Sequence, residues 1–271
     1  MRPEIAQQTG LEDVQVVASC SHDTAAAVVG LPASGENWAF LSSGTWALMG
    51  IELPEPIIND QSRELNFTNE IGYGGSVRFL KNMVGLWILQ ECRRYWAEEE
   101  QELDYEVMTH LAGSSPPFQS LINPADARFL SPGDMPLKVQ AYCKESGQTV
   151  PRKPGPIIRC VLESLALLYR KTLQEIEQIT GRKIERLHMV GGGTKNTLLN
   201  HFTANALQMP VVLGPAEATS AGNVLVQAMT LGHVKSLPEA RKIVRDSFKI
   251  ETIPSYAAAW NAAYERLEKL F

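Results

Sequence analysis

The sequence has few cysteines, and their spacing excludes the common zinc and redox motifs. None of the four forms a CxxC pair or stands near a histidine at zinc-ligand spacing; they are Cys20, Cys92, Cys143 and Cys160. We expect buried thiols, because Cys20 ends an apolar run and Cys92 falls on an apolar helix face. Cys143 and Cys160 flank a loop rich in glycine and proline and could approach each other, although disulfides are rare in cytosolic proteins. No residue is assigned to a metal site.

Long hydrophobic runs and a strong positive charge are also missing. Met1–Glu12 lacks the apolar centre of a signal peptide, and no apolar run reaches the roughly 20 residues of a membrane span. The net charge of −5 argues against nucleic acid or an anionic membrane as the main partner. A chain of 271 residues with 44% hydrophobic and 20% charged residues can fold around a full core. We therefore expect a globular protein of the cytoplasm.

Strand-like and helix-like segments alternate along the chain, which predicts an α/β domain with a largely buried sheet. Helices are predicted from apolar residues at three-to-four spacing, and strands from short apolar runs beside turn residues. The predicted strands are 14–18, 37–42, 45–51, 184–190 and 210–213. The predicted helices are 25–30, 79–97, 105–111, 156–179, 197–207, 216–231, 237–244 and 256–270. Residues 118–155 are expected to form mostly loop.

The segment Ser-His-Asp-Thr-Ala at 21–25 places a carboxylate at a predicted helix start. Asp23 could accept a proton from a substrate hydroxyl there, or hold a magnesium ion through water. The simpler interpretation is that Asp23 or Thr24 caps the helix. His22 could be structural, could donate a hydrogen bond to a substrate, or could simply be exposed.

Two glycine turns could bind phosphate. In Ser-Ser-Gly-Thr-Trp at 42–46, Gly44 would let a phosphate approach backbone amides, and Thr45 adds a hydroxyl, although Ser-Gly is also common in plain β-turns. The three consecutive glycines at 191–193 separate a predicted strand from a helix, which indicates close approach of another group. Neither GxGxxG nor GxxxxGK[ST] occurs, so the Rossmann and P-loop readings are excluded. Asn196 could cap the following helix or contact a base.

The predicted helix 79–97 carries two amide side chains, Asn82 and Gln90. Their spacing would set them ~12 Å apart along the axis and ~80° apart around it. Such a pair could contact opposite ends of an extended ligand, although two solvent-facing amides are the simpler account. The tryptophans Trp46, Trp87 and Trp96 are expected in the core.

Taken together, these segments resemble the C-terminal half of the FGGY carbohydrate kinases. The motifs that carry the resemblance are SHDTA, SSGTW, NFTNE, RFLKNMVGLWILQ, HMVGGGTKNTLLN and GPAEATSAGN, in this order, between about Gln8 and Ile250. The resemblance implies an actin-like ATPase domain with a ribonuclease H-like core, formed by residues 1–271 as a single unit. It also implies ATP-dependent phosphorylation of a sugar with Mg²⁺. The run from Asn66 to Gln90 indicates the subfamily that acts on L-rhamnulose.

The resemblance also implies a role for each site residue. Asp23 would be the catalytic base, His22 and Thr24 would lie beside it at the sugar, and Asn82 would be a further substrate residue. The residues that would contact the nucleotide are Gly44, Thr45, Gln90, Gly192, Gly193 and Asn196.

FGGY kinases consist of two such domains, and their active site lies in the cleft between them. Since this chain has room for only the second domain, we expect the N-terminal phosphate hairpin and much of the sugar pocket to be missing, and the chain alone to be inactive. Two alternatives stay open at this point. One is a nucleotide-binding module without catalysis, and the other is an FGGY kinase for another sugar, such as fuculose or xylulose.

Overall fold

A seven-stranded mixed sheet with helices on both faces forms the centre of the molecule. The computed structural model describes residues 1–256 and 259–271. The strands are β1 Trp38–Ser43, β2 Trp46–Leu53, β3 Thr68–Ile71, β4 Val77–Val84, β5 Arg186–Val190, β6 Val211–Leu213 and β7 Glu251–Ile253. The helices are α1 Pro3–Thr9, α2 Asp23–Val29, α3 Asp60–Glu64, α4 Trp87–Glu98, α5 Tyr105–Gly113, α6 Met135–Glu145, α7 Pro154–Thr180, α8 Thr197–Leu207, α9 Ala218–Thr230, α10 Leu237–Ser247 and α11 Ala259–Glu268.

The strand directions bring several loops to one edge of the sheet. The strand order is β3-β4-β2-β1-β5-β6-β7, and β1, β5 and β6 run parallel to one another. Because β2 is antiparallel to both β1 and β4, strand β4 runs in the same direction as β1. The carboxyl ends of β1, β4, β5 and β6 therefore meet at one edge, which is where open α/β sheets commonly bind ligands.

One face of the sheet is covered by the long helix α7 together with α4, α5, α6, α8 and α11. Helix α7 starts with Pro154 in its first turn and ends at Gly181, whose φ of +67° suits a left-handed cap. Alternate strand residues such as Leu41, Met49 and Phe79 point to this side and belong to the largest buried cluster. This packing supplies most of the apolar burial that stabilises the fold.

The opposite face is covered by α2, α9 and α10. Helices α2 and α9 approach so closely that a Cβ on Gly222 would lie 1.8 Å from the Ala26 carbonyl oxygen, and one on Gly30 would lie 2.4 Å from that of Ala218. Only glycine fits at these two positions, because the groups in the way are backbone atoms. The crossing sets the position of α2, and hence of the SHDTA segment at its start.

A buried polar layer joins α10 to the sheet on that same face. Arg241 donates hydrogen bonds to the Val28 carbonyl oxygen at 3.1 Å and to Glu52 Oε2 at 2.6 Å. His188 on β5 is 2% exposed, packs edge-on against Trp38, and has no hydrogen-bond partner for either ring nitrogen among the described residues. Burial, followed by the nearby charges of Arg186, Arg241 and Arg245, lowers the pKa of His188 to about 4.

The α/β architecture predicted from the sequence is confirmed, but several local predictions are wrong. Residues 14–18 form no strand in the described part of the chain, and Val16 is 68% exposed. An apolar run alone does not make a strand, because its backbone groups also need a partner strand. Residues 118–155, expected as loop, contain α6. The final helix begins at Ala259, and the predicted positions 257–258 lie outside the described residues.

The predicted helix 79–97 is in fact a strand followed by a helix. Residues 77–84 form β4, which pairs with β2 on one side and β3 on the other, and Gly85 precedes α4. Because both faces of β4 are covered, its apolar residues do not alternate with polar ones and the run imitates helical spacing. Asn82 and Gln90 therefore lie on different elements.

The four cysteines are free thiols: Cys92, Cys143 and Cys160 are buried, whereas Cys20, expected to be buried, is partly exposed. Cys143 on α6 and Cys160 on α7 are buried neighbours. The hydrogen bond between them, followed by burial, raises the pKa of Cys160, and the same hydrogen bond lowers the pKa of Cys143. Among the described residues, no helix has the length and apolar character needed to cross a membrane.

Candidate functional site

A cleft of about 840 Å³ opens at the edge where the parallel strands end. It is bounded by the bend after β1, the start of α4, the helix α5, and the glycine turn that leads into α8. All six residues predicted to contact a nucleotide line this cleft: Gly44, Thr45, Gln90, Gly192, Gly193 and Asn196. They come from three separate segments of the sequence, at 44–45, 90 and 192–196, and the fold brings them together.

The bend at Gly44 and Thr45 is held by the backbone at the start of α4. The Thr45 carbonyl oxygen accepts hydrogen bonds from the amides of Gly85 and Trp87, both at 3.1 Å, and the Gly44 carbonyl accepts one from Leu86 at 2.8 Å. A Cβ on Gly85 would lie 2.6 Å from the Gly44 oxygen, so glycine is required there. The bend is therefore rigid, while a Cβ on Gly44 itself would meet only the Trp46 carbonyl oxygen, at an ordinary 3.8 Å.

The three glycines of the 191–193 turn differ in what surrounds them. A Cβ on Gly193 would lie 2.0 Å from Ser43 Oγ, and Gly191 has a φ of +87° and packs against the Ser43 carbonyl. A Cβ on Gly192 would meet no atom within 4 Å. The sequence predicted that another group comes close to this glycine turn, and at Gly191 and Gly193 that group is Ser43 of the same chain. Gly192 alone leaves backbone open to the cleft.

The glycine turn leads directly into α8, whose start is capped by Asn196. The Asn196 Oδ1 atom accepts a hydrogen bond from the Leu199 amide at 2.9 Å, which is an N-cap contact. Asn200 supports the same turn, since its Nδ2 atom donates to the Thr194 carbonyl oxygen at 2.8 Å. Of the two roles left open for Asn196, the cap is observed. The capped helix start still faces the cleft, where its dipole favours an anion.

Helices α4 and α5 form the remaining walls. From α4, the half-buried Gln90 and the apolar side chains of Leu86 and Leu89 line the cleft. The other wall consists of Tyr105, Glu106, Thr109 and His110 on α5, none of which was predicted to belong to the site. The only sequence signal for these residues was a short amphipathic helix, which does not reveal which face meets a cleft. Lys195 and Thr197 complete the lining.

Asp23 lies at the first position of α2 with its side chain 76% exposed, so a hydroxyl can reach it. Its Oδ1 atom accepts hydrogen bonds from the amide of Thr24 at 2.7 Å and from its hydroxyl at 3.2 Å. The helix cap is His22, and its side chain makes no capping hydrogen bond. Thr24 itself is buried. The cap interpretation of Asp23 and Thr24 is therefore wrong, because both already lie inside the helix.

The residues predicted to contact the sugar do not line the nucleotide-side cleft. Asn82 is exposed on β4, opposite Leu48 of β2, and alternation along the strand puts it on the face that α2 covers. His22, Asp23 and Thr24 lie on that same side, at the start of α2. Trp46, expected in the core, is 50% exposed directly after the bend. The residues predicted for the nucleotide and those predicted for the sugar thus lie on opposite sides of this edge of the sheet.

A cluster of charged side chains surrounds the start of α2. The His22 Nδ1 atom is 3.5 Å from Asp23 Oδ1 and 3.6 Å from Glu70 Oε2. Glu70 in turn accepts a hydrogen bond from Arg78 Nη2 at 2.9 Å, and the Arg78 side chain is 1% exposed. Burial lowers the pKa of Arg78, and the charge of Glu70 opposes this shift.

The donor groups present fit a metal ion only if a ligand supplies most of its coordination. No group of three His, Cys, Asp or Glu side chains within residues 1–256 and 259–271 is arranged to hold a metal. Magnesium commonly binds through one or two carboxylates, several waters and the phosphates of a substrate. The exposed carboxylate of Asp23, with Oδ1 engaged by Thr24, fits such a contact through water.

Comparisons with a family profile and with curated proteins point to the same family. A sequence profile of the FGGY family of carbohydrate kinases, C-terminal domain, matches residues 39–231. A rhamnulokinase from Bacteroides thetaiotaomicron is 46% identical over 262 residues, which are 96% of this chain and 53% of that protein. A rhamnulokinase from Enterococcus faecalis is 43% identical over 243 residues, which are 89% of this chain and 49% of that protein. The chain therefore spans about half the length of the curated relatives that it matches.

The fold is also similar to that of solved sugar kinases. The crystal structure of a xylulose kinase from Rhodospirillum rubrum superposes with a TM-score of 0.72 at 16% identity, over 100% of this chain and 54% of that one. Sugar kinases of this kind have an actin-like ATPase fold with a ribonuclease H-like core, so the predicted fold class is confirmed.

Proposed function

The chain belongs to the FGGY family of carbohydrate kinases, and we propose that it acts in the ATP-dependent phosphorylation of L-rhamnulose to L-rhamnulose 1-phosphate. We propose residues 1–271 as one domain, the nucleotide-side half of a two-domain kinase. A sugar-side domain then supplies the other wall of the active site. This proposal carries a cytoplasmic location with it, since the reaction consumes ATP.

The observation that carries the proposal is the convergence of six residues from three segments on one cleft. Its volume lies within the range of small-molecule sites, roughly 300–1,000 Å³. The Gly44 amide already donates to the Trp46 carbonyl oxygen at 2.9 Å, so the donors proposed for phosphate oxygens are the Thr45 amide and hydroxyl and the first amides of α8. Gly192 leaves room for close approach. We assign the phosphates to Gly44 and Thr45, and the adenosine end to Gly192, Gly193, Asn196 and Gln90.

The proposed mechanism uses the exposed carboxylate at the start of α2. The oxygen of the sugar 1-hydroxyl would attack the γ-phosphorus of ATP, and Asp23 would accept the proton of that hydroxyl. ADP would leave. His22, Thr24 and Asn82 would hold the sugar on the same side of the sheet as Asp23. The Thr45 hydroxyl and the amides of the bend would stabilise charge on the phosphates, and such positioning accounts for most catalysis of phosphoryl transfer.

Magnesium fits this arrangement as an ion that arrives with ATP, held by phosphate oxygens and through water by Asp23. When bound, it would neutralise charge that develops on the phosphates.

L-rhamnulose is favoured over other sugars by the curated relatives, since both matches reported above are named rhamnulokinase. Their identity of 43–46% far exceeds the 16% shared with the xylulose kinase. Fuculose and xylulose therefore remain weaker alternatives, and the ratio of kcat/KM values across a panel of ketoses would separate the three.

A second candidate function is nucleotide binding without catalysis by this chain. It is favoured by one observation, that the lining of the cleft includes none of Asp23, His22, Thr24 and Asn82. It predicts that the chain binds ADP in a calorimeter but transfers no phosphate to any sugar. Binding is expected to be weak, because an open cleft encloses less of its ligand than a closed one.

Replacing Asp23 in the two-domain enzyme tests the proposed function directly. Asp23→Asn keeps the shape of the side chain and removes its capacity as a base, so kcat is expected to fall by about 10²–10⁴-fold. The affinity for ADP without magnesium, measured by calorimetry, should stay unchanged because Asp23 lies outside the nucleotide-side cleft. Retention of full turnover by the variant would exclude Asp23 as the base.

A further inference from the structure

We propose that Arg78 and Glu70 are positioning residues that hold His22 and Asp23 in place for the sugar. The proposal rests on the proposed function, in which Asp23 takes the proton of the sugar hydroxyl. It adds two residues on neighbouring strands, β3 and β4, that do not reach the substrate themselves.

The burial of Arg78 is the first observation. Its side chain is 1% exposed, and its Nη1 atom has no hydrogen-bond partner among the described residues. Glu70 is the acidic side chain that pairs with it, at 2.9 Å, and the Ile71 carbonyl oxygen accepts further bonds at 3.3 and 3.4 Å. Only the arginine of this pair is buried, since the Glu70 side chain is 32% exposed. Burying a charge costs desolvation free energy, and apolar residues of the same volume often stabilise a fold as well or better. The pair therefore calls for another role.

The second observation is that a single oxygen atom joins this pair to the proposed site. Glu70 Oε2 accepts the bond from Arg78 and also lies 3.6 Å from His22 Nδ1. The imidazole thus stands between two carboxylates, Glu70 and Asp23, at nearly equal distances. The ion pair with Arg78 fixes the position of the Glu70 carboxylate. Glu70 in turn attracts the imidazole of His22, which weakens the contact between His22 and Asp23. This leaves the carboxylate of Asp23 available to a ligand.

The third observation is the register of the strands. Glu70 lies directly opposite Arg78, so both side chains point to the same face. Two and four residues further along β4 come Leu80, on which α2 packs, and Asn82. One face of β4 therefore carries the ion pair, the support for α2 and the proposed sugar residue. A displacement of Arg78 would therefore affect the ion pair, the packing of α2 and the position of Asn82.

The matched control is the other buried ion pair on this face, between Glu52 and Arg241. Its atoms are 2.6 Å apart and its side chains are 11% and 17% exposed. Arg241 also donates to the carbonyl oxygen of Val28, at the other end of α2 from His22 and Asp23. Glu52 also lies directly opposite Arg78 in the strand register. Replacing Glu52 therefore disturbs the same region of the sheet as replacing Glu70. Loss of charge at Glu52 therefore reproduces the structural cost without the proposed effect on His22.

The first experiment measures kinetics in the two-domain enzyme. Glu70→Gln should raise KM for the sugar or lower kcat, with kcat/KM for the sugar falling about tenfold, while KM for ATP stays unchanged. Glu52→Gln should lower the melting temperature and leave both kinetic constants unchanged. Arg78→Lys keeps the charge and loses the planar fork, so an intermediate effect is expected. Equal kinetics for the Glu70 and Glu52 variants would overturn the proposal.

The second experiment needs no activity and uses the 271-residue chain. Long-range ¹H–¹⁵N spectra report the environment of each imidazole, and the signals of His22 are assigned through His22→Gln. We expect Glu70→Gln and Arg78→Lys to shift the His22 signals, and Glu52→Gln to leave them in place. Unshifted His22 signals in the Glu70 variant would disprove the positioning role, whatever the outcome at Asp23. Conversely, full turnover by Asp23→Asn would remove the proposed function and leave this result standing.

Discussion

At the scale of single residues, the most informative position is Gly192. Its neighbours Gly191 and Gly193 are glycines because Ser43 packs against them, and that requirement is met without any ligand. Gly192 has open space around its α-carbon and no positive φ, so neither sterics nor backbone conformation explains a glycine there. A residue that the fold does not require, at the wall of a cleft, indicates a requirement set by what binds.

Gly192→Ala should therefore weaken nucleotide binding without weakening the fold. The added methyl group meets no protein atom within 4 Å but enters the cleft, so Kd for ADP should rise about tenfold. Calorimetric titration gives Kd, and thermal unfolding of the empty protein should show an unchanged melting temperature.

The contrasting variant is Gly193→Ala, whose Cβ would lie 2.0 Å from Ser43 Oγ. It should lower the melting temperature, because Ser43 must move. If Gly192→Ala were as destabilising as Gly193→Ala, or if it left Kd unchanged, the role given to Gly192 would be lost.

At the scale of elements, β4 and α4 show why part of the candidate site could be predicted and part could not. Asn82 and Gln90 were predicted as site residues from their motif, and of the two only Gln90 lines the cleft; their placement on one helix was wrong. Local spacing cannot distinguish a strand covered on both faces from a helix, because both give near-continuous apolar runs. Cross-strand pairing with β2 and β3 decides the matter, and such pairing involves residues that are distant in the sequence.

The contact between α2 and α9 offers a prediction about an element rather than a side chain. Gly222→Ala places a Cβ 1.8 Å from the Ala26 carbonyl oxygen, so α2 must move away from α9. Overpacking of this kind costs about 1–3 kcal/mol of unfolding free energy. Since Asp23 and His22 begin α2, the variant should also raise KM for the sugar in the two-domain enzyme, and leave Kd for ADP unchanged.

Urea unfolding gives the stability of this variant, and Gly113→Ala at the end of α5 is its control, because a Cβ there meets nothing within 4 Å. A variant at Gly222 as stable as the control would show that the helices separate without cost.

At the scale of the whole molecule, the order of strands is what unites the predicted nucleotide residues. The sequence correctly predicted an α/β fold and the two strands that became β1 and β2, because these depend on short apolar runs beside turn residues. The wall formed by α5 could not be predicted, since it follows from how α5 packs on α7 and α8. Motif residues can be read from sequence, whereas the neighbours that complete a cleft depend on tertiary packing.

The buried His188 predicts how the stability of the whole fold depends on pH. Its folded-state pKa of about 4 lies below the ordinary value of 6.5, so the unfolded chain binds a proton between these values and the folded chain does not. The neutral imidazole therefore contributes its full stability above pH 6.5, and this contribution is lost progressively as the pH falls from 6.5 and is gone below about 4. The loss amounts to about 3 kcal/mol of unfolding free energy.

Urea unfolding between pH 7 and pH 4.5 measures this loss. His188→Phe, which keeps an aromatic ring against Trp38, should reduce the pH dependence, and replacement of the exposed His233 by Gln should leave it as in the wild type. An equal pH dependence in the wild type and His188→Phe would show that other groups account for it.

The bend at Gly44 and Thr45 has a mechanical consequence. Because the amides of Gly85, Leu86 and Trp87 donate hydrogen bonds to its two carbonyls, the bend and the start of α4 are joined, and a displacement of one requires a displacement of the other. Trp87 also ties the start of α4 to a third segment, since its indole donates a hydrogen bond to the Phe129 carbonyl at 3.1 Å. A ligand bound at the bend would therefore also affect the position of the segment around Phe129, which is not part of the cleft lining.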